Sequence, residues 1–504
     1  MTKEQFVVTA AQMRDIETRI FTAGMPVAAL MEKVGGLIFQ RLQTIISPDK
    51  SVGILAGPGH NGGDALVVAR ELYFHGYKIW IYQPFSKLKE LTSQHFQYIQ
   101  SLKIPCYQEI NELPNCDFLI DGLFGFGLER EITDSIAAAI NHFNQTNQPI
   151  ISIDIPSGLH TDTGEVLGTA IQASYTFCLG LWKQGLLQEQ ALPPLTDIHA
   201  ILDKDNVPQI KRITKTTALS TLPLPRPLIT HKYKQGNLLL ICGSRRYAGG
   251  AILTGLGARA SGVGMLSIAV PESLKMLLVS HLPEALIIGC PETEKGAIAN
   301  LPLVGCVSDS ATHLIDLNSF TTIACGPGLT KDNISIIPEI IECECPLILD
   351  ADALNILAQL GTIPTLKSRK STTVITPHTG EFKRLFPHID YTNRVKAVQT
   401  AAHESGAIVL LKGARTAISN PQGGVWINPE STPALARGGS GDVLTGLLGG
   451  LLAQIPPQEL TIEDVVASAT WWHSQAGILA AQARTELGVD AFTLTQYLIS
   501  VLQR

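Results

Sequence analysis

Cysteine is thinly scattered: nine occur in 504 residues, and none forms a C-x-x-C pair. An odd count without a secretion signal fits free thiols in a reducing cytosol. Lys and Arg are outnumbered by Asp and Glu, 38 to 44, for a net charge of −6. The broad basic footprint of a nucleic-acid binder is therefore missing. The opening residues MTKEQ hold no apolar signal core. The longest apolar run, 443–455, is too short for a bilayer and contains three glycines. No G-x-x-x-x-G-K-S/T string occurs, so a Walker loop does not hold phosphate here. These absences lead us to expect a cytoplasmic protein that acts on neither membrane nor nucleic acid. Cys343 and Cys345 flank one residue ahead of a strand; structural packing is expected of them, with a redox or metal role as the alternative.

What is present is apolar bulk and alternation. With 45% hydrophobic residues the chain can bury large cores, and its length implies two to four domains. Apolar runs at 51–56, 78–82, 117–121, 150–154 and 175–179 read as strands, and 9–42, 63–75 and 132–143 as helices. The opening helices have no strand before them and are expected to pack on the outside. The pattern breaks over 203–230, where Leu222-Pro223-Leu224-Pro225-Arg226-Pro227 can neither continue a helix nor fill a central strand, and this stretch is read as the crossing between domains. Strands then resume at 237–242, 265–270, 322–325, 346–350, 373–376 and 408–411, with helices at 248–261, 353–359 and 442–453. Strand–helix alternation implies parallel sheets covered on both faces. We expect two doubly wound α/β domains, 1–215 and 225–504.

The first half holds Gly57-Pro58-Gly59-His60-Asn61-Gly62-Gly63-Asp64 between a strand and a helix. Such a turn aims backbone N–H groups at an anion. A dinucleotide fingerprint would want a carboxylate about 20 residues on, and the second strand ends at Tyr82-Gln83-Pro84 without one. Two further strands end in carboxylates, Asp121 and Asp154, which are either loop caps or ligands of one crevice. Asn61, Asp121 and Ser157 are oxygen donors of the kind hard cations take.

These strings resemble the YjeF N-terminal family, the NAD(P)H-hydrate epimerases. G-P-G-H-N-G-G-D-A stands for the family's G-P-G-N-N-G-G-D-G, and D-G-L-F-G-F-G-L and D-I-P-S-G-L match it, as does the helical opening around Gln12-Met13-Arg14 and Leu30-Met31-Glu32. The resemblance spans roughly 5–210. It implies that Asn61, Asp121 and Ser157 hold K+. It also implies that His60, Asn61, Gly62, Gly63 and Asp64, the loop of Gly125, Phe126, Gly127, Leu128, Glu129, Arg130 and Glu131, and Asp154 contact the hydrated nicotinamide nucleotide, with Asp154 as a catalytic carboxylate. His60, Ala65 and Phe126 depart from the family pattern.

In the second half Gly438-Gly439-Ser440-Gly441-Asp442 precedes a helix. Glycines admit a phosphate close to the backbone, and the helix start offers N–H groups and a positive dipole. Asp442 is then either a helix cap or a base beside that anion hole. Lys412-Gly413-Ala414-Arg415-Thr416 follows a strand, as do Asp350-Ala351-Asp352-Ala353-Leu354-Asn355, Thr376-Pro377-His378-Thr379-Gly380-Glu381 and Cys325-Gly326-Pro327-Gly328-Leu329. Together they resemble the ribokinase-like superfamily, and within it the ADP-dependent NAD(P)H-hydrate dehydratases, over about 230–500. The resemblance implies nucleotide contacts by Lys412, Gly413, Ala414, Arg415, Thr416 and Gly441. It implies a hydrate site of Ala260, Gly328, His378 and Asp442, with Asp442 as base, and Mg2+ beside ADP or ATP. Tyr233 and the stretch 431–435 depart from that pattern.

The expected protein is a fused repair enzyme: one half interconverts the R and S hydrates of NADH and NADPH, and the other dehydrates the S form at the expense of a nucleotide. Its expected partners are small molecules and further copies of itself in a homo-oligomer. A ribokinase-like small-molecule kinase fused to a non-catalytic binding module stays open as the alternative.

Overall fold

The computed structural model describes residues 6–191, 197–199, 210–304, 314–454 and 460–503. The chain divides into two compact units, Met1–Pro208 and Gln209–Arg504. Ile213, Ala218 and Leu222 are buried in the core of the second unit. The proline-rich stretch therefore lies inside that unit rather than between the two. Residues 203–209 of the expected crossing lie outside the described residues.

In the first unit seven strands run parallel in the order Cys106–Tyr107, Lys78–Tyr82, Ser51–Ala56, Phe118–Gly122, Ile150–Ile153, Tyr175–Leu179 and Asp197–His199. Parallel strands covered on both faces need continuous apolar runs, and Val52, Ile54, Leu55, Ile120 and Ile151 are all fully buried. The strand order reverses between Ser51–Ala56 and Phe118–Gly122. In such sheets the crevice beyond the carboxyl ends at that reversal is where ligands bind. The opening helices expected over 9–42 are Ala10–Thr22 and Val27–Leu42, bent by 118°. Gly24, with φ of +103°, makes the break. A strand does precede them: Phe6–Val8 pairs in parallel with Trp182–Lys183. At three residues it is too short to announce itself by periodicity.

The second unit has parallel strands in the order Leu286–Cys290, Met265–Pro271, Asn237–Ile241, Thr322–Cys325, Leu347–Leu349, Thr373–Ile375 and Ile408–Leu411. Antiparallel Ala417–Ser419 and Val425–Ile427 follow, and Ile210–Arg212 pairs in parallel with the latter. The order reverses between Asn237–Ile241 and Thr322–Cys325. Helix Ser440–Ala453 is buried along its whole length from Val443, as an all-round apolar helix must be. It reaches helix Ala248–Ser261 backbone to backbone: a Cβ on Gly446 would lie 1.8 Å from the Thr254 carbonyl oxygen. The apolar run is thus a core helix, with Ile455 outside the described residues. Among those residues no single helix is long and apolar enough to cross a membrane.

Candidate functional sites

At the strand reversal of the first unit, the chain leaves Ser51–Ala56 through Gly57-Pro58-Gly59 and enters helix His60–Phe74. A Cβ on Gly57 would sit 1.7 Å from the Leu123 carbonyl oxygen, so only glycine lets these two loops touch. The helix starts on Gly59 with no side-chain cap, which leaves its first N–H groups for a ligand. A cavity of about 520 Å³ opens there. His60, Asn61, Asp64, Phe126, Asp154 and Lys183 line it from the strand ends, and Glu17 from helix Ala10–Thr22.

Asp154 sits just past strand Ile150–Ile153 with φ of +70°, in the left-handed region a non-glycine residue rarely occupies. That conformation costs on the order of 1–3 kcal/mol and persists where surroundings over-determine it. Here the surroundings are three donors: Phe126 N at 2.9 Å to Oδ2, and Leu179 N at 3.4 Å and the Lys183 ammonium to Oδ1. Lys183 is fully buried and also donates to the Leu179 carbonyl. Two more carboxyls share the cavity. Burial, then the charge of Asp154, raises the Glu17 carboxyl to about 7, with Lys183 opposing. Burial and the charges of Asp154 and Glu17 push Asp64 well above the usual carboxylate range. Burial and Lys89 hold the His60 imidazole below its ordinary value.

The sequence-derived residues divide. His60, Asn61, Asp64, Gly125, Phe126, Gly127, Leu128 and Asp154 line the cavity. Gly62 and Gly63 lie beneath it, against the Gly57 carbonyl and the Met31 side chain. Glu129, Arg130 and Glu131 are exposed beyond its lining. Gly127 turns the chain at φ of +90°, and Ile132 N is then drawn to the Leu167 carbonyl.

Asp121 and Ser157 lie below the cavity floor. Ser157 Oγ donates to Asp121 Oδ1 at 2.6 Å, while Ser152 Oγ and Ser157 N reach Oδ2 at 2.8 and 2.9 Å. Asp121 is fully buried, and burial raises its carboxyl against these hydrogen bonds. Ser157 Oγ also accepts from Phe124 N at 2.8 Å. Asn61 abuts the same loop: its Cγ is 3.1 Å from where a Gly125 Cβ would be. The Asn61 amide nitrogen is buried with no hydrogen-bond partner among the described residues.

In the second unit, helix Ser440–Ala453 also starts on a glycine, Gly439 at φ of +91°, with no side-chain cap. Asp442 in its first turn faces helix Ala248–Ser261: its Oδ2 is 3.4 Å from where a Gly250 Cβ would be. The same point is 3.5 Å from Gly328 N, which puts Gly328 beside Asp442. Burial, then the negative charge of Asp350, raises the Asp442 carboxyl to about 7. Asp350, at the end of strand Leu347–Leu349, is held by Lys412 Nζ at 2.7 Å and Thr445 Oγ1 at 2.7 Å. Lys412 Nζ is also 3.3 Å from where a Gly441 Cβ would be. The loop Lys412–Thr416 is strapped by Arg394, whose guanidinium donates to the carbonyls of Leu411, Lys412 and Arg415 at 2.6, 2.9 and 3.0 Å.

His378 caps helix Thr379–Leu385 through Nδ1, accepting from Gly380 N at 2.9 Å, while its side chain is 56% exposed. It bridges by backbone to Lys412 and so stands at the same strand ends. Ala260 does not belong with this group. It lies ten residues along its helix from Gly250, roughly 15 Å at 1.5 Å per residue, and packs on the core. Glu17, Lys183, Asp350 and Arg394 are the residues that sequence reasoning left unassigned. Asp350 alone carried a signal, as a carboxylate at a strand end.

The sequence profile described as NAD(P)H-hydrate dehydratase matches residues 238–500, and that of the YjeF-related protein N-terminus matches 27–185. The bifunctional NAD(P)H-hydrate repair enzyme Nnr of Synechocystis sp. is 52% identical, over 98% of this chain and 94% of its own. The enzyme of the same name from Thermofilum pendens is 31% identical, over 95% of this chain and 93% of its own. Among solved structures, ADP/ATP-dependent NAD(P)H-hydrate dehydratase from Bacillus subtilis, co-crystallised with ATP and Mg2+, is 31% identical. It covers 58% of this chain and 97% of that one at a TM-score of 0.48.

Proposed function

This chain belongs to the family of bifunctional NAD(P)H-hydrate repair enzymes, and from that premise we propose which residues carry each of its two reactions. The N-terminal unit is the epimerase and the C-terminal unit the ADP/ATP-dependent dehydratase, which removes the kinase alternative. One observation carries the assignment: each unit presents, at the carboxyl ends of a parallel sheet, a carboxyl raised to about 7, Glu17 in one and Asp442 in the other. A group with that pKa is half protonated at neutral pH and can both give and take a proton.

In the epimerase, the N–H groups at the start of helix His60–Phe74 receive an anionic part of the nucleotide. Asp154, fixed by Lys183 and Phe126 N, touches the hydrated ring. Glu17 in its acid form protonates the departing hydroxyl; water then adds to the other face of the ring and releases its proton to solvent, from which the Glu17 carboxylate is reprotonated. Asn61, Asp121 and Ser157 are the residues that would hold K+. The oxygen chemistry of all three side chains fits a monovalent hard cation, while the unpartnered amide nitrogen of Asn61 is a donor that would face an acceptor rather than the ion. K+ would supply fixed positive charge under the substrate loop.

In the dehydratase, Gly441 and the uncapped helix start take the nucleotide phosphates, with Lys412 beside them and the loop to Thr416 along the nucleotide. Asp442 removes the proton from the S hydroxyl as its oxygen attacks the terminal phosphorus. The phosphate then leaves with the C–O bond, and loss of a ring proton restores the dihydronicotinamide; ADP ends as AMP and phosphate. Among the described residues no three His, Cys, Asp or Glu side chains form a ready metal cage. That fits Mg2+, which keeps its waters and arrives with phosphates. Asp350, whose two oxygens already take Lys412 and Thr445, would reach it only through water, and the ion would neutralise charge on the transferring group.

Ion exchange tests the cation. With K+ replaced by tetramethylammonium, epimerisation should slow while dehydration of pure S hydrate continues. An equal loss in both reactions, or in neither, contradicts the placement at Asn61, Asp121 and Ser157.

A further inference from the structure

Cys343 and Cys345 stand between helix Ile336–Ile341 and strand Leu347–Leu349 and are not among the residues of either site. Their sulfurs are 3.8 Å apart, which is van der Waals contact. Arg369 lies against them. Its Nη1 donates to Cys343 Sγ at 3.4 Å and to the Ile341 carbonyl, and its Nη2 donates to the Cys345 carbonyl at 2.8 Å. Its Nε is buried without a hydrogen-bond partner. Among the described residues no carboxylate pairs with this guanidinium. A partly buried cation without a counter-charge is costly, and the one acidic atom it touches is the Cys343 sulfur.

The other described cysteines behave in the opposite sense. Burial raises Cys106 and Cys116 to about 11 and Cys290 to about 12, and it pushes Cys178, Cys242 and Cys325 upward too. Cys343 is driven down, first by the S–H bond it receives from Cys345 and then, against burial, by the charge of Arg369. Donating that bond holds Cys345 as a neutral thiol. A thiolate beside a cation and in contact with a thiol is the arrangement in which one sulfur attacks and the other resolves. Cys343 is 6% exposed and Cys345 more so, which suits an oxidant of water-like size.

We propose that Cys343 and Cys345 form a peroxide-reactive dithiol that closes reversibly to an intramolecular disulfide. The Cys343 thiolate attacks one oxygen of hydrogen peroxide. The O–O bond breaks, the departing hydroxide takes a solvent proton and leaves as water, and Cys343 becomes a sulfenic acid. The Cys345 sulfur then attacks the sulfenic sulfur. The S–S bond forms as the S–O bond breaks, and the hydroxyl leaves as water with the Cys345 proton. Two thiols and one peroxide thus give one disulfide and two waters, with both electrons supplied by the sulfur pair. A dithiol reductant reverses the reaction by exchange.

The test is stoichiometric peroxide on the full chain, followed by alkylation, intact mass and peptide mapping. The expected product is lighter by two hydrogens, carries the loss in the peptide of Cys343 and Cys345, and regains them with dithiothreitol. Cys345→Ser should stop at a sulfenic acid on Cys343 that dimedone traps. Arg369→Gln should slow alkylation of Cys343 most clearly below its titration: at pH 5, where thiolate is the minor form, a rise of one unit in thiol pKa lowers the thiolate fraction by about tenfold. Oxidation of another cysteine first, no dimedone adduct in Cys345→Ser, or alkylation of Cys343 no faster than that of Cys106, would each overturn the proposal.

Discussion

Lys412 Nζ lies 2.7 Å from one oxygen of Asp350, while Thr445 Oγ1 donates to the other at 2.7 Å. Asp350 is 1% exposed, so its charge is committed to this pair and felt by Asp442 nearby. Removing one member of a buried pair costs about 3–5 kcal/mol, and the partial exposure of Lys412 argues for the lower figure. Asp350→Asn should therefore lower unfolding free energy by about 3 kcal/mol. It should also lower the pH midpoint of dehydration, because the negative charge of Asp350 helps to raise Asp442. Denaturant titration and a pH–rate profile check both, and an unshifted midpoint would count against the coupling.

Asp442→Asn separates function from stability. Dehydration should fall by at least about 100-fold, the low end for a general base, with R-to-S interconversion intact. The folded pKa is about 7 against an ordinary 3.8, so the native state binds the extra proton between those values. Wild-type stability therefore declines as pH rises from about 4 to 7. Asn has no such proton, so the variant should melt above wild type at pH 8, with the difference shrinking toward pH 4. Melting curves at the two pH values decide it.

Glu17→Gln is the corresponding test in the other unit. Epimerisation should fall by about 100-fold or more and lose its pH dependence near 7, while dehydration of pure S hydrate is unchanged. An epimerase profile that keeps its inflection near neutrality would mean that another group titrates.

Glu17 also shows where sequence reading ends. Strand-end Asp121 and Asp154 and helix-start Asp442 were legible: they stand beside glycine turns that only a close approach explains, as Gly57 against Leu123 does. Glu17 sits in an amphipathic helix among other charges, and Lys183 ends a two-residue strand. Each becomes a site residue only when Phe6–Val8 pairs with Trp182–Lys183 and brings distant stretches of chain to Asp154. Ala260 failed for the opposite reason. It lies on the right helix, but a motif carried over without helical geometry does not say which end faces the ligand. The break in periodicity over 203–230 does contain the unit boundary, between Pro208 and Gln209, but its proline-rich part, 222–227, belongs to the second unit, where Leu222 is buried in the core.

The most direct measurement supplies the full chain with mixed R and S hydrates of NADH plus ADP and follows reduced cofactor by absorbance. Wild type should convert the whole mixture. Asp154→Asn, nearly isosteric and still able to hydrogen-bond Phe126 N through its oxygen, should convert the S fraction at the wild-type rate and then stall, and because it leaves buried Lys183 without its counter-charge it should also lower the melting temperature. Complete conversion by Asp154→Asn at the wild-type rate would contradict the account, because Asp154 would then be no more than a loop residue beside Lys183.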